Sequence, residues 1–382
     1  MATENNNKNL NVPNLRFPEF SGEWERKKLG DIGTTLIGLT YSPQDVVTSD
    51  GIIVLRSSNI KGGLLDYTDL VRVNKKIKET IITRTNDILI CARNGSARLI
   101  GKNAILKDSD CGHTFGAFMM VYRSEDNPFV HQLLSTKRYY SQVAENLGAR
   151  INQITTSDLN SFEFSFPQSN KEKVKIAGVL SLLDERIATQ IKIIEDLKKL
   201  KSAISKTIFT GNKFECHQTT LVDVADIYQP QTIPTSLLCE ENEYNVYGAN
   251  GIIGKYSKYN HEASQICIAC RGNSCGAVNY STPKSWITGN AMVINTDGKD
   301  VDKRYLYHLL CTINFTPLIS GSGQPQIVRS PLEKMKIRLP NLPIQRNISK
   351  VLDDIESKIE IEEEICKQFM KQKSGLLSQM FI

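Results

Sequence analysis

A long amphipathic segment that occurs twice constrains the fold of this 382-residue chain more than any other feature. The first copy covers residues 171–210 and the second covers residues 344–382. A shift of 172 positions places Ile176 of the first copy on Ile348 of the second. A repeat of this length predicts that the chain is built from two equivalent halves.

Each copy has the pattern of a single helix. Its apolar residues recur at steps of three and four, which places them on one face. Ser169 and Glu172 have the spacing of a capping box, and Gly211 follows the last turn. We therefore predict helices at 169–211 and 343–382, each of which would span roughly 55–60 Å.

Charge favours antiparallel pairing of the two helices. The late half of the first is rich in lysine, and the early half of the second is rich in aspartate and glutamate. Antiparallel packing brings these opposite charges together, whereas parallel packing opposes lysine to lysine. The alternative is two separate surface helices, each packed on its own domain. The residues predicted to form the contact between the helices are Leu180, Leu183, Ile187, Ile191, Ile194, Leu352, Ile355, Ile359, Cys366 and Phe369.

The segments outside the helices are predicted to be β-rich globular domains at 15–168 and 212–342, after a disordered tail at 1–14. Short apolar runs bounded by Gly, Asn, Asp or Ser indicate strands at 52–55, 88–91, 118–122 and 291–294, and alternation indicates strands at 162–166 and 336–339. The two domains repeat one another in order, and a shift of 178 aligns Arg93 with Arg271. The predicted fold class is α+β, with two globular domains alternating with two long helices in a pseudo-two-fold internal repeat.

Composition limits the class of protein. The net charge of +6 permits nucleic-acid binding without requiring it. An odd count of nine scattered cysteines is typical of reduced thiols. The chain has no apolar run of eighteen residues and no signal-peptide pattern near residue 1, so we expect a cytoplasmic protein without membrane contact.

No catalytic constellation or metal site is predicted. The five histidines lack the spacing of metal ligands or of a nucleophile's base. Cys267, Cys270 and Cys275 invite a zinc interpretation, but the repeat aligns the first two with Leu89 and Ala92. Positions that accept leucine and alanine in the other copy are expected to be strand packing positions.

Loops rich in hydrogen-bonding side chains occur in both halves and are the candidate binding elements. Arginine can read guanine, asparagine and glutamine can read adenine, and lysine and serine can contact phosphates. The alternative is ordinary turn chemistry. The candidates in the first half are Arg56, Ser57, Asn59, Lys61, Arg93, Asn94, Ser96 and Arg98, and those in the second half are Tyr247, Asn250, Lys255, Arg271, Asn273, Ser274, Gln324 and Gln326.

Several segments resemble one family closely. They are LRFPEFSGEWERKKLGDI at 15–32, VYGANGIIGKY at 246–256, GSGQPQI at 321–327 and the beginning of the second helix. Together they are similar to the DNA specificity subunit of type I restriction–modification enzymes. One departure is GARINQI at 148–154, where only Gly148 and Gln153 match the second-half loop.

The resemblance implies a non-catalytic subunit that binds double-stranded DNA. Each domain would be a target recognition domain for one half of a bipartite sequence, and the helices would set the half-site spacing. Two modification subunits would carry S-adenosylmethionine and methylate adenine N6, and restriction subunits would use ATP and Mg²⁺. The alternatives are a protein-binding structural adaptor without a nucleic-acid role and an autonomous DNA-modifying enzyme.

Overall fold

A computed structural model describes residues 11–147, 152–211, 214–321 and 323–382 as two compact units. The first unit contains the described residues up to Lys192 together with Glu364–Ile382, and the second contains the described residues of Ile193–Glu363. Each unit therefore holds one globular region, part of the first long helix and part of the second.

The first unit contains twelve strands and four short helices among its described residues. Its strands are β1 (Glu25–Lys28), β2 (Thr34–Ile37), β3 (Val46–Val47), β4 (Ile52–Leu55), β5 (Ile60–Lys61), β6 (Leu64–Leu65), β7 (Val71–Val73), β8 (Ile88–Cys91), β9 (Asn103–Ile105), β10 (Thr114–Phe115), β11 (Met119–Arg123) and β12 (Glu163–Phe166). The short helices are α1 (Leu29–Ile32), α2 (Asn127–Leu133), α3 (Lys137–Leu147) and α4 (Thr156–Ser161).

An antiparallel sheet in the order β2-β11-β8-β9 organises this unit. All four residues of β8 are buried, and successive side chains point to opposite faces. Ile88 and Ile90 join one core with the helices, while Leu89 and Cys91 join a second core. The second core lies under a mixed sheet in the order β10-β4-β7-β3, in which β10 and β4 are parallel.

The second unit repeats this plan. Its described strands are β13 (His217–Thr220), β14 (Asp226–Tyr228), β15 (Tyr244–Gly248), β16 (Gly251–Tyr256), β17 (Ile266–Ala269), β18 (Val278–Tyr280), β19 (Trp286–Ile287), β20 (Ala291–Asn295) and β21 (Lys336–Leu339), and its short helices are α6 (Leu221–Val224), α7 (Lys303–Leu310) and α8 (Arg329–Glu333). The order β14-β20-β17-β18 matches that of the first unit. Cys267 on β17 points into a buried core, as its repeat equivalent Leu89 does.

The long helices agree with the sequence prediction to within two residues at each end. The first of them, α5, spans Asn170–Thr210, between α4 and α6 in the chain, and the second, α9, spans Leu342–Met380. In the first unit, Ile176 near the start of α5 shares one core with Leu377 near the end of α9. In the second unit, Ile348 near the start of α9 packs in the core that Ile208 near the end of α5 also contacts. The helices therefore pair antiparallel, and the predicted fold class is confirmed.

Two of the predicted helix–helix residues also pack in the cores of the globular regions. Leu180 and Leu352, which the repeat aligns, are fully buried in the cores of the globular regions. Each long helix therefore starts by docking on its own globular region. None of the described helices combines the length and the apolar character that crossing a membrane requires.

Candidate nucleic-acid interface

Arg93 and Arg271 occupy equivalent places in the two units. Each follows a buried central strand, β8 or β17, and each side chain is exposed. The strand fixes the backbone up to two residues before the arginine, so the guanidinium begins from a rigid support. Among the described residues, neither arginine has a carboxylate partner, so both can bind an anionic or hydrogen-bond-accepting ligand.

In each unit, the backbone of a glutamine pairs with the backbone of the arginine. Arg93 forms an antiparallel bridge with Gln153, and Arg271 forms one with Gln326. The flanking bonds also correspond, because Ile154 N donates to Ala92 O at 2.9 Å and Ile327 N donates to Cys270 O at 3.1 Å. The structure thus brings two candidates, Arg271 and Gln326, together in the second unit, and it places Gln153, which was not a candidate, opposite Arg93 in the first.

The segment that carries the candidates Arg56, Ser57, Asn59 and Lys61 is held by its own contacts. Asn59 is fully buried, and its amide group bonds to the backbone of Arg56, Asp66 and Asp69 at 2.8–3.0 Å. The prediction that Asn59 contacts DNA is therefore corrected, because the side chain stabilises the loop from inside. Arg56 is paired with Asp69 at 2.7 Å.

Among the other first-unit candidates, Asn94 connects Ser57 to Ser96 by hydrogen bonds. Asn94 Nδ2 donates to Ser57 Oγ at 3.0 Å, and Asn94 Oδ1 accepts from the backbone N–H of Ser96 at 3.0 Å. Arg98 is exposed in the short turn that follows. Lys61 is exposed and pairs with Asp66 at 2.6 Å, an interaction that lowers the pKa of Asp66.

One second-unit candidate is also turned inward. Tyr247 is buried, and its hydroxyl accepts a hydrogen bond from Thr282 N at 3.0 Å. It supports the hairpin of β15 and β16 and does not present a group to a ligand, so its prediction as a DNA contact is corrected. The exposed tip of this hairpin is Asn250, followed by Gly251 with a φ of +91° that favours glycine.

The remaining candidates of the second unit lie at its surface. Lys255 is half-buried on β16, and Asn273 and Ser274 form the turn after Arg271, with Asn273 exposed. Gln324 and Gln326 are both exposed. Gly272 N donates to Pro325 O at 3.0 Å, which ties this turn to the glutamine segment.

Cys267, Cys270 and Cys275 do not form a group close enough to share a metal ion among the described residues. Burial raises the pKa of Cys267 to about 12 and also raises the pKa of Cys270 and Cys275. A raised thiol pKa disfavours the thiolate that a metal requires. Cys270 Sγ instead accepts a hydrogen bond from Gln229 Nε2 at 3.1 Å.

One group among the described residues has the composition of a metal site, namely His308, Asp353 and Glu356. Arg304 bonds to both of these carboxylates, and His308 Nε2 lies 2.7 Å from Asp353 Oδ1. The Arg304 guanidinium, together with Lys201, therefore supplies positive charge to this cluster. The cluster of Arg304, His308, Asp353 and Glu356 joins α7 to α9 and so attaches the second globular region to α9.

Equivalent ion pairs link the long helices in the two units. Asp184 on α5 pairs with Lys373 on α9 at 2.5 Å, and Glu356 on α9 pairs with Lys201 on α5 at 3.1 Å. The shift of 172 relates both the acids and the lysines. The charge pattern predicted the pair of Glu356 with Lys201 but not the pair of Asp184 with Lys373. Aligning the charged residues of the two copies would have revealed the pair that was missed.

Sequence patterns also missed Phe118. It was part of an apolar run predicted as a strand, but β11 begins one residue later and the Phe118 side chain is 59% exposed. The Arg93 guanidinium lies 5.2 Å from the centroid of its ring. The available signal was the polar residue Asn290 at the equivalent position, since a core position is usually apolar in both copies.

Comparison with known proteins agrees with the observed repeat. The family model for the type I restriction modification DNA specificity domain matches residues 21–199 and 215–369, once in each half. The structure of the type I restriction-modification S subunit from M. genitalium covers 97% of this chain with a TM-score of 0.70. That match covers 99% of the other chain at 16% identity, so it shows the fold alone.

Curated relatives give the same family. The putative type I restriction enzyme MjaX specificity subunit of Methanocaldococcus jannaschii is 26% identical over 97% of this chain and 96% of its own length. A putative specificity subunit of Haemophilus influenzae is 34% identical over 28% of each chain. The match to the EcoKI specificity subunit of Escherichia coli is 27% identical over 47% of this chain and 41% of that protein. The chain belongs to the type I restriction–modification DNA specificity family.

Proposed function

We propose that this chain is the non-catalytic, sequence-specific DNA-binding subunit of a type I restriction–modification complex. The observation that supports this most strongly is the repeated pair of Arg93 with Gln153 and Arg271 with Gln326. Arginine can bond to guanine O6 and N7, and glutamine can bond to adenine N6 and N7. Each arginine follows a buried strand, so each unit would present a reading surface with a rigid support to one half-site.

The two half-sites should differ in sequence. The loops around Arg93 include Ser57 and Asn94, whereas those around Arg271 include Asn273 and Gln324. Different donors and acceptors at equivalent positions select different bases. A bipartite, asymmetric target follows from this difference.

The long helices would dock two modification subunits. Val179 and Ile365 of the first unit are 37% exposed, and Val351 and Ile193 of the second unit are 49% and 39% exposed. The shift of 172 relates the two valines to each other and the two isoleucines to each other. Because the same apolar positions are exposed in both units, a partner that contacts them in one unit would find an equivalent contact in the other.

The chemistry would reside on the partners. Modification subunits would bind S-adenosylmethionine and methylate adenine N6, and restriction subunits would bind ATP and Mg²⁺. The pair formed by α5 and α9 would set the spacing between half-sites, because each helix runs without a break from one unit into the other. This subunit would hold the DNA while the partner flips the target base.

A map of N6-methyladenine in the source cell, with and without the gene, tests this function. We expect one asymmetric, bipartite motif to lose methylation when the gene is deleted. Co-purification with a modification subunit, and binding that weakens steeply with added salt, are the supporting measurements. An unchanged map, despite an intact complex with an active modification subunit, would contradict the proposal and favour a structural adaptor.

A further inference from the structure

Phe118 is held at the reading surface of the first unit by its backbone. Its carbonyl oxygen accepts hydrogen bonds from Ala92 N and Arg93 N, both at 3.0 Å. The ring is 59% exposed, and the Arg93 guanidinium lies 5.2 Å from its centroid. The phenyl ring and the guanidinium therefore form one exposed pair at the end of the central sheet.

An open depression adjoins the ring. It has a volume of about 610 Å³, and its lining includes the apolar residues Leu39, Pro43 and Val46. Arg56 and Ser57 add polar groups to the same wall. This combination suits a ligand that has a small apolar group beside hydrogen-bond acceptors.

The second unit supplies an internal comparison. Asn290 occupies the position equivalent to Phe118, because its carbonyl oxygen accepts the hydrogen bond from Cys270 N at 3.0 Å. One backbone hydrogen bond is thus common to both units, while the side chain is a phenyl ring in one and an amide in the other. The side chain that each unit presents to a base therefore differs, while this backbone hydrogen bond is kept.

We propose that Phe118 is a specificity-determining residue that contacts the 5-methyl group of a thymine in the first half-site. This inference rests on the proposed function. Among the four bases, thymine alone presents a methyl group in the major groove, where phenylalanine can contact it. Arg93, beside the ring, reads a neighbouring base. The second unit, with Asn290, has no such methyl contact.

Substitution of deoxyuridine for thymidine tests the contact directly, because the two nucleosides differ only by the 5-methyl group. We would measure binding of the complex with modification subunits to duplexes in which each thymine of the motif is replaced singly. At one thymine, the wild-type complex should lose about fourfold in affinity, as expected for one buried methyl group. Phe118→Ala should abolish this loss at that position alone, and Phe118→Leu, which stays apolar, should retain it.

The outcomes separate the two claims. Equal sensitivity to deoxyuridine in the wild-type complex and in Phe118→Ala overturns the role of Phe118. The absence of an affinity loss at every thymine of the first half-site in the wild-type complex overturns it as well. A wild-type complex without any sequence preference refutes the proposed function, and this inference with it. Coupling between one side chain and one methyl group is the signature expected of a direct contact.

Discussion

Glu356 offers a quantitative test of how the second globular region is attached to the long helices. Its carboxylate accepts hydrogen bonds from Tyr307 at 3.1 Å and from Arg304, and it pairs with Lys201 at 3.1 Å. Only 22% of its side chain is exposed. Glu356→Gln keeps the shape of this side chain and removes its charge.

The expected cost follows from these contacts. Hydrogen bonds to charged groups contribute about 1.5–3 kcal/mol each when they are buried. Partial exposure and the remaining bond of Arg304 to Asp353 reduce the loss, so we expect Glu356→Gln to cost about 2 kcal/mol. For a unit of this size, that is a decrease of about 4–8 °C in Tm.

Glu363→Gln is the matched control. Glu363 on α9 pairs with Lys198 on α5 at 2.5 Å, a shorter distance than that between Glu356 and Lys201. Its side chain is 48% exposed, however, and an exposed pair contributes about 0.5 kcal/mol. The control should therefore lower Tm by no more than about 2 °C.

The pH dependence of the Glu356 variant has a definite sign. Burial opposes ionisation of Glu356, but Lys201 and Arg304 outweigh it and lower its pKa below the ordinary value of 4.5. Stability from this group is therefore present above pH 4.5 and is lost as the pH falls through the lowered value. Burial also lowers the pKa of His308, which costs stability below pH 6.5 in both the wild type and the variant.

Scanning calorimetry of the wild type and both variants from pH 7 to pH 3 provides the measurement. The difference between wild type and Glu356→Gln should be largest at neutral pH and should shrink below pH 4.5. Equal losses in the two variants at pH 7, or a difference that does not depend on pH, would refute the argument from burial and charge.

Three further results are expected. Arg271→Ala should relax base preference in one half-site and weaken its binding by about 1–3 kcal/mol, and Arg93→Ala should do so in the other. Inserting four residues near Ile194 should lengthen the spacer by roughly 6 Å, or about two base pairs, and leave both half-sites unchanged. Val351→Asp should reduce the number of bound modification subunits from two to one, because it places a charge on an apolar contact.

Each of these results has its own control. Base preferences are measured from methylation maps. If one arginine variant changed the preference in both half-sites, the assignment of one arginine to each half-site would be contradicted. A changed half-site after the insertion would show that the helices are not a simple ruler. Native mass spectrometry counts the bound subunits, with Ser357→Asp as a variant that adds the same charge at an exposed position of the same helix.

Sequence patterns predicted the buried, regular parts of the fold well. The run at 88–91 and the alternating segment at 336–339 coincide with β8 and β21. Such strands are specified by side chains that must be buried, so the information is local. The short strand β19 pairs in parallel with β15, which lies far away in sequence, and no local pattern indicates that contact.

The site was less predictable because a loop side chain can turn either way. Asn59 and Tyr247 carry polar groups like those of the exposed candidates, yet each side chain is buried and hydrogen-bonded to the protein itself. Phe118 shows the reverse, since an apolar residue next to a strand is exposed. Burial at these positions depends on distant partners such as Asp69 and Thr282, which composition does not reveal.

The core of the first unit has a consequence for synthesis of the chain. Leu377 and Met380 belong to this core, together with Trp24 and Phe129. A ribosome therefore makes the entire second unit before it supplies the residues that complete the first. Domains generally fold in order as they emerge from the ribosome. Here the core of the earlier globular region stays incomplete, with apolar residues exposed, until Leu377 and Met380 have been synthesised. A nascent chain that stops before residue 377 would leave these apolar residues exposed to chaperones and proteases.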